Sequence, residues 1–198
     1  MTRVVGLTGN IASGKSSVAA ILRRHGIPVI DADAIVHELQ RPGTAVFRAI
    51  IARFGDEILT ADGSIDRRRL RQRILDSDED RLALEAIVHP AVFEHRGALL
   101  RAATETGTSL VVVDVPLLYE VDDPRHYDAV ILVDAPRAER WRRLVEDRGM
   151  PPAEADRLID LQLPADSKRE RADFVIDNDG TWARLEQQTA DVLAQLAP

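Results

Sequence analysis

A glycine-rich segment near the start of the chain has the residue types and spacing of a phosphate-binding loop. It matches the pattern G-x-x-x-x-G-K-[ST] and lies between a β-branched apolar run and a helical pattern. Glycines let such a loop curl so that its N–H groups point at phosphate oxygens, and the following helix adds the positive end of its dipole. The residues predicted to bind the nucleotide are Gly9, Asn10, Ile11, Ala12, Ser13, Gly14, Lys15, Ser16 and Ser17.

Lys15 and Ser16 are the two side chains of this loop with a direct chemical role. A lysine at this position reaches the β- and γ-phosphates of an NTP, and the serine hydroxyl ligates Mg²⁺. The chain has 26 basic residues, of which only Lys15 and Lys168 are lysines. A slim ammonium fits inside the loop where a planar guanidinium does not, which explains Lys15. For Lys168 we expect a charge on a helix surface.

Two aspartates, Asp31 and Asp33, follow the second apolar run. If this segment is extended, both carboxylates face the same way. One of them could take the proton of an acceptor hydroxyl while the other holds water or a metal ion. The alternative is that Asp33 only caps the helix that begins there. We favour a functional role for Asp33 and leave that of Asp31 open.

Two further aspartates end apolar runs later in the chain. Asp114 lies beside the loop if its strand neighbours the first strand, and there it would be placed to support Mg²⁺. A plain turn residue is an equally good interpretation of Asp114. For Asp134 we expect a capping role, because Pro136 follows at what reads as a helix start.

A late helical segment is rich in arginine around Trp141. Most of these arginines are expected on a solvated face. Phosphoryl transfer also needs cations over the migrating group once water is excluded, so one or two of them could act as lid residues. Spacing alone does not select them from Arg137, Arg140, Arg142, Arg143 and Arg148.

These residues need a parallel sheet to bring them together. Apolar, β-branched runs predict strands that alternate with helices over most of the chain, and runs apolar on both faces indicate a mostly parallel sheet covered on both sides. Ligands of such sheets bind beyond the carboxyl ends of the strands. The predicted strands are 3–8, 27–30, 109–113, 129–133 and 174–176, and the stretch 56–103 is predicted to be all-helical, with helices at 66–75, 79–88 and 90–103.

Composition excludes several other classes of protein. The 198 residues contain no cysteine, which removes disulfides, thiolate nucleophiles and sulfur-ligated metals. A net charge of −7 with 4% aromatic residues argues against a nucleic-acid binder. Neither a signal peptide nor an apolar span of membrane length is recognisable, so we expect a cytoplasmic protein.

The loop alone leaves the reaction open among nucleotide-dependent switches, motors and small-molecule kinases. A GTPase switch would need a guanine-reading N-K-x-D, and neither lysine lies in one. The D-x-x-G match at Asp177–Gly180 follows the last strand and is interpreted as a turn. An acid after the second strand, a helical region and late arginines favour a kinase of a small acceptor, with a nucleoside monophosphate or a metabolite as alternative acceptors.

With this set of motifs, the sequence resembles the dephospho-CoA kinase family. The likeness covers residues 3 to 181, with the motifs in the family's order. Besides the loop, the distinctive segments are D-A-D at 31–33, H-P at 89–90 and P-L-L-x-E at 116–120. The resemblance implies a three-layer α/β/α P-loop fold with a five-stranded sheet, a helical acceptor subdomain and a helical lid. It also implies Mg²⁺-dependent transfer of the ATP γ-phosphoryl group to the ribose 3′-hydroxyl of dephospho-CoA.

The resemblance also assigns roles to individual residues. Asp33 would be the catalytic base, and Arg143 and Arg148 the lid arginines beside Lys15 in catalysis. His89, Leu117 and Glu120 would border the acceptor together with Asp33, although His89 could simply fix a helix entry. Ser16 and Asp114 would serve the metal.

The resemblance further suggests how the single kinase domain is organised. The nucleotide-binding core would span about 1–43 and 105–198, the acceptor subdomain about 44–104 and the lid about 136–163. Partners would be ATP and dephospho-CoA, with no nucleic acid and no membrane, in a monomer or weak homo-oligomer.

Two residues of the loop depart from the family pattern G-G-I-G-S-G-K-[ST]. Asn10 and Ala12 stand where glycines are usual. Asn tolerates left-handed backbone angles better than most residues. We expect Ala12 to adopt angles that a Cβ allows, and we expect ATP binding to be retained.

Overall fold

The structure is a computed structural model that describes residues 2–196 of the 198. Its sheet has five strands in the spatial order β2-β3-β1-β4-β5. Strand β1 pairs in parallel with both β3 and β4, and β4 pairs in parallel with β5. The predicted α/β class and mostly parallel sheet are confirmed. The strands are β1 Arg3–Gly9, β2 Val29–Asp31, β3 Leu110–Asp114, β4 Ala129–Asp134 and β5 Phe174–Asp177.

Helices alternate with the strands as predicted, and α5 is continuous where two helices were predicted. Turns of 3₁₀-helix lie at Asp56–Ile58 and Pro124–His126, and a π-helical turn at Arg143–Asp147 continues α7. The α-helices are α1 Lys15–Arg24, α2 Ala32–Leu39, α3 Ala45–Phe54, α4 Arg67–Asp76, α5 Asp78–Glu105, α6 Leu118–Val121, α7 Arg137–Arg142, α8 Pro152–Asp160, α9 Ala165–Arg169 and α10 Trp182–Leu196.

The chain divides into two compact units. The first comprises residues 1–30 and 103–198, as far as they are described, and the second comprises 31–102. In the first unit, one face of the sheet packs on α1 and α10 through fully buried side chains. Strand residues of this core alternate with others that are buried on the opposite face, as expected for a covered parallel sheet. The core side chains include Val5, Leu7, Val18, Leu22, Ile131, Ile176 and Leu185.

The second unit has a helical core of its own. Its buried cluster is built from apolar positions of α3, α4 and α5, including Ile50, Phe54 and Leu70. Val36 and Leu39 of α2 pack against this cluster, which is why α2 belongs with the helical unit. The observed unit therefore begins at residue 31, whereas the sequence interpretation assigned residues up to 43 to the core.

One predicted break in this region is wrong. The sequence suggested separate helices on either side of Pro90, but α5 runs without interruption from Asp78 to Glu105. His89 and Pro90 are exposed in its interior, so the alternative that His89 fixes a helix entry is also wrong. A helix tolerates an interior proline at the cost of one backbone hydrogen bond when its other contacts are favourable.

The prediction of no strand over 56–103 holds, apart from a single antiparallel bridge between Leu59 and Ile65. Within residues 2–196, no helix combines the length and the apolar character that a membrane crossing would require.

Candidate active site

The phosphate loop connects β1 to α1 at the carboxyl edge of the sheet. A tight turn returns the N–H of Ser13 to the carbonyl of Asn10 over 3.0 Å. Gly14 is the N-cap of α1 with φ 93°, and it offers no side chain to the N–H groups of the first turn. Those N–H groups carry the positive end of the helix dipole, which is the arrangement that binds a phosphate.

The backbone of the loop shows how the two departures from the family pattern are accommodated. Ala12 has φ 59°, in the small left-handed region that residues with a Cβ adopt only uncommonly. Among the described residues other than glycine, Ala12 alone has a positive φ, so Asn10 is not left-handed. Asn10 instead donates from Nδ2 to the carbonyl of Leu163 over 3.3 Å. Its side chain thus ties the loop to the connection between α8 and α9.

Lys15 forms an ion pair with Asp114. Parallel pairing of β1 with β3 places Leu7 opposite Asp114, so the acid lies next to the loop. The condition set for a metal-supporting role of Asp114 is therefore met, because β3 does neighbour β1. A serine hydroxyl and a carboxylate are hard oxygen donors of the kind Mg²⁺ prefers.

The metal-ligating side chains are otherwise sparse. In the described part of the chain, no three His, Asp or Glu residues come together as a metal cluster. This fits a Mg²⁺ ion that keeps several waters and takes part of its ligands from substrate phosphates, as is usual for kinases. The residues present therefore suit Mg²⁺ held by Ser16 and supported by Asp114.

A cavity of about 370 Å³ opens next to the loop. Its size suits a nucleotide portion, since ligand pockets are commonly several hundred cubic ångströms. One wall comes from the loop and α1, a second from the π-helical turn and the residue after it, and a third from the segment after β5 and the start of α10. The lining residues are Ala12, Gly14, Ser16, Ser17, Arg143, Asp147, Arg148, Asn178, Gly180, Trp182 and Leu185.

Arg143 lines the cavity and also holds the loop through hydrogen bonds to its carbonyls. Its Nη1 donates to the carbonyls of Ala12 and Ser13 over 3.0 and 3.1 Å, and its Nη2 donates to the carbonyl of Asn178 over 2.8 Å. Its Nε donates to Glu139 over 2.9 Å. The guanidinium of Arg142, and then that of Arg143, lowers the pKa of Glu139 to about 2 despite partial burial.

The other arginines of this region differ in their surroundings. Arg148 lines the cavity, as a lid arginine would. Arg137 pairs with Asp156 and Asp160 of α8, away from the loop carbonyls. Arg140 is buried and donates to the carbonyl of Ala135, and burial lowers the pKa of its guanidinium. The actions of Arg143 and Arg148 on a transferring phosphoryl group stay predictions.

Asp134 does not have the role that we expected. The N-cap of α7 is Pro136, without a side-chain hydrogen bond, so Asp134 is not its cap. Its carboxylate instead accepts from the N–H of Ala135 and pairs with Arg169 over 2.9 Å. Arg169 also reaches Asp177 at the end of β5, over 2.7 Å. Asp134 thus joins the ends of two neighbouring strands to α9.

The paired aspartates after β2 also differ from expectation. Asp31 is the N-cap of α2, and its carboxylate accepts from the N–H of Ala34 over 2.9 Å. Asp33 lies inside the first turn of α2 and is exposed. The pair is therefore not extended, and the cap is Asp31 rather than Asp33. The carboxylate of Asp33 stays available for chemistry.

Comparison with known proteins assigns the chain to a family. A family model described as dephospho-CoA kinase matches residues 3–184. The dephospho-CoA kinase of Thermobifida fusca is 47% identical over 193 residues, covering 97% of this chain and 95% of the relative. The dephospho-CoA kinase of Geobacillus kaustophilus is 43% identical and covers 98% and 97% respectively. The chain belongs to the dephospho-CoA kinase family.

Solved structures agree with the assignment of the fold. A crystal structure from Thermus thermophilus superposes with a TM-score of 0.83 at 34% identity, covering 100% of this chain and 99% of that one. Dephospho-CoA kinase from Campylobacter jejuni superposes with a TM-score of 0.74 at 23% identity, covering 99% and 98%. The second likeness concerns the fold alone.

Two residues that the family resemblance placed at the acceptor lie just after β3. Leu117 is the half-buried N-cap residue of α6. Glu120 extends its side chain to Lys168, with Nζ and Oε1 2.6 Å apart. The expectation that Lys168 is a surface charge is wrong, because its side chain has no exposed surface. Acceptor binding by Leu117, Glu120 and His89 stays a prediction.

Sequence reasoning missed Asn178 and Gln162 as members of the site of this dephospho-CoA kinase family protein. Asn178 follows β5 and donates from Nδ2 to the carbonyl of Ser13 over 2.8 Å. Gln162 accepts from the N–H of Ile11 over 2.7 Å. The position of Asn178 just after a strand could have indicated its role, since ligand sites of such sheets lie there. For Gln162 no sequence pattern was available, because its contact depends on how α8 is placed.

Proposed function

We propose that this chain transfers the γ-phosphoryl group of ATP to the ribose 3′-hydroxyl of dephospho-CoA, giving coenzyme A and ADP, the last step of coenzyme A synthesis. The observation that carries the proposal is the family match over residues 3–184. The complete phosphate loop and the adjacent cavity support it, because they supply the site for the donor nucleotide.

The phosphate loop and α1 bind and orient the donor. The first-turn N–H groups of α1 and the ammonium of Lys15 neutralise the phosphate charges, which is the main contribution a protein makes to phosphoryl transfer. Arg143 holds the loop carbonyls, and both Arg143 and Arg148 line the cavity. Ser16 and Asp114 would hold Mg²⁺, which would supply positive charge to offset that of the phosphates.

Asp33 serves the acceptor in this proposal. Its carboxylate is exposed in the first turn of α2, so it is free to accept a hydrogen bond from the 3′-hydroxyl. The transition state of phosphoryl transfer is loose, so the proton is needed late and a weak base is sufficient. His89, Leu117 and Glu120 are the remaining residues that we propose for the acceptor region.

A panel of acceptors tests the proposal. ADP release is measured with ATP and Mg²⁺ in the presence of dephospho-CoA, AMP, CMP or a simple polyol, and the phosphorylated position is determined by ³¹P NMR. Of these acceptors, we expect only dephospho-CoA to support ADP release, and we expect the product to carry a 3′-phosphate. Turnover that prefers AMP, CMP or the polyol would assign the chain to a different acceptor. Slow hydrolysis without any acceptor dependence would indicate a nucleotide-dependent switch instead.

A further inference from the structure

Lys168 is a buried cation to which the proposed reaction gives no task. Its side chain has no exposed surface, and its ammonium lies 2.6 Å from Oε1 of Glu120, whose side chain is 19% exposed. The ammonium donors meet no acceptor of suitable hydrogen-bond geometry within residues 2–196. Burying an ammonium costs several kcal/mol unless its partner offsets the loss of hydration. Such a pair adds little stability, so its value has to be sought in what it positions.

The two charges join segments that are far apart in the chain. Glu120 belongs to α6, just after β3, and Lys168 belongs to α9. Oε1 of Glu120 also accepts from the N–H of Leu163 over 3.3 Å. Arg171, just after α9, stacks on the ring of Tyr119 with its guanidinium carbon 4.4 Å from the ring centre. The Leu163 contact holds the connection between α8 and α9, residues 161–164, against α6, and the Arg171 contact holds the segment after α9 there.

This connection contacts the phosphate loop with two consecutive residues. Oε1 of Gln162 accepts from the N–H of Ile11 over 2.7 Å, and the carbonyl of Leu163 accepts from Nδ2 of Asn10 over 3.3 Å. These contacts hold the first half of the loop, while Arg143 and Asn178 hold its second half. The first half includes Asn10, which stands where the family usually has a flexible glycine.

We propose that the Glu120–Lys168 pair is a positioning device for the phosphate loop. By fixing the 161–164 connection, the pair keeps Gln162 and Leu163 on Ile11 and Asn10, and so maintains the loop conformation that binds the nucleotide. Neither charge needs to touch the nucleotide. The inference deepens the proposed function and rests on its assignment of ATP to this loop. It also gives Glu120 a role other than contact with the acceptor.

Calorimetric titration with MgADP tests the inference without any acceptor. We expect Lys168→Met to raise the Kd for MgADP about tenfold, equivalent to about 1.4 kcal/mol. The KM for ATP should rise in parallel with a smaller change in kcat. Gln162→Met should weaken MgADP binding by a similar factor. The variant that combines Lys168→Met with Gln162→Met should bind MgADP no more weakly than the weaker-binding of the two single variants, because both changes act on the same contact. Arg125→Met is the control, since Arg125 forms an ion pair with Asp123 and is 88% exposed.

A neutral pair separates positioning from the cost of an unpaired charge. Glu120→Gln keeps an oxygen for the N–H of Leu163, and together with Lys168→Met it removes both charges. If the pair positions the loop, the variant with both Glu120→Gln and Lys168→Met still binds MgADP weakly, although its melting temperature rises from that of Lys168→Met towards that of the wild type. If affinity recovers as well, the inference is wrong. Should Lys168→Met fail to fold, Glu120→Gln alone is measured, with the same expected weakening.

The inference and the proposed function fail in different ways. Unchanged MgADP affinity in folded Lys168→Met or Glu120→Gln overturns the positioning role, whatever acceptor is used. Normal MgADP binding by the wild-type chain without phosphorylation of dephospho-CoA overturns the proposed acceptor and leaves the positioning role standing.

Discussion

At Gly14 the phosphate loop has no room for a side chain. The residue has φ 93°, and a Cβ built there would lie 1.9 Å from Nδ2 of Asn178. That nitrogen donates to the carbonyl of Ser13, so a side chain at position 14 must displace a contact that shapes the loop. Gly26 has a similar φ of 76° with no atom within 4 Å of a built Cβ. A side chain at Gly26 would meet backbone strain alone, whereas one at Gly14 would meet both backbone strain and crowding.

Gly14→Ala and Gly26→Ala are expected to differ in both stability and binding. Gly26→Ala should lower the free energy of unfolding by about 1 kcal/mol, since only the left-handed angle penalises the new side chain. Gly14→Ala should lower it further and raise the Kd for MgADP at least about tenfold, because it displaces Asn178 as well. Urea denaturation and calorimetry check both values. Equal losses of stability with unchanged MgADP affinity would contradict the role of Asn178.

The residues of the phosphate loop were placed well from the sequence, and residues defined by distant partners were not. The loop between β1 and α1 and the position of Asp114 follow from local pattern and strand order. Lys168 has charged neighbours in the sequence, which favours a surface position. Its partner Glu120 comes much earlier in the chain, so no local pattern shows the pair. Helical periodicity does not show whether a lysine has a buried counter-ion.

At the level of elements, a charge cluster around Glu139 lies where α7 passes into the π-helical turn. Arg142 and Arg143 both donate to this carboxylate, which is 30% exposed. A π-helical turn is less regular than an α-helix and is often found at functional sites. Arg143 begins this turn and donates to the loop carbonyls, so Glu139 helps to hold a residue that lines the cavity.

Glu139→Gln should lower the free energy of unfolding at pH 7 by about 1 kcal/mol, as for partly exposed pairs. The pKa of Glu139 falls from 4.5 to about 2 on folding, so its ionised form stabilises the fold. This contribution is complete above the unfolded pKa and is lost as the pH falls through the folded pKa. The difference between wild type and variant should thus be constant from pH 7 to about 5 and should vanish towards pH 2.

Urea denaturation at a series of pH values measures that difference. Glu170→Gln serves as the matched control, because Glu170 is exposed beside α9. Its difference from wild type should be small at every pH. A Glu139→Gln difference that already disappears near pH 5 would show that the cluster does not lower the pKa of this carboxyl.

The long helix α5 carries a proline that local rules would exclude. Pro90 lacks an N–H to donate to the carbonyl of Ala86, and an interior proline costs a helix about 3 kcal/mol. The sequence pattern therefore predicted a break that the packing of Val88 and its neighbours overrides. Element boundaries set by tertiary packing are the part of this fold that the sequence alone did not reveal.

Pro90→Ala should raise the thermal stability of the chain. We expect about 1–2 kcal/mol, the helical gain being offset in part by the greater freedom of the unfolded chain. Pro42→Ala is a control of opposite sign, because Pro42 precedes Gly43, with φ 92°, in an exposed turn of the same unit. That change should lower stability by roughly 0.5 kcal/mol. Thermal melting of both variants checks the signs, and a lower melting temperature for Pro90→Ala would contradict the argument.

At the level of the whole molecule, the residues that we propose for the reaction are distributed over both units. The phosphate loop, its cavity and the Glu120–Lys168 pair belong to the unit built on the sheet. Asp33 and His89 belong to the helical unit. The class of fold and the existence of a helical insertion were predictable, since strand patterns stop at 56–103. The start of that unit at residue 31 was not predictable. Helix α2 directly follows a strand, and only the packing of Val36 and Leu39 shows that it belongs to the helical unit.

Because Asp33 and the phosphate loop belong to different units, we expect loss of the Asp33 carboxylate to spare nucleotide binding. Asp33→Asn should lower kcat with dephospho-CoA about 100-fold or more, the usual contribution of a general base. The Kd for MgADP should stay within about twofold of wild type, because a twofold change is only about 0.4 kcal/mol.

Asp31→Asn is the matched control two residues away. Asparagine caps a helix as well as aspartate does, so α2 stays capped and turnover should fall far less. Near-normal kcat in Asp33→Asn would remove Asp33 as the base, whereas equal losses in both variants would point to local charge rather than to one positioned carboxylate.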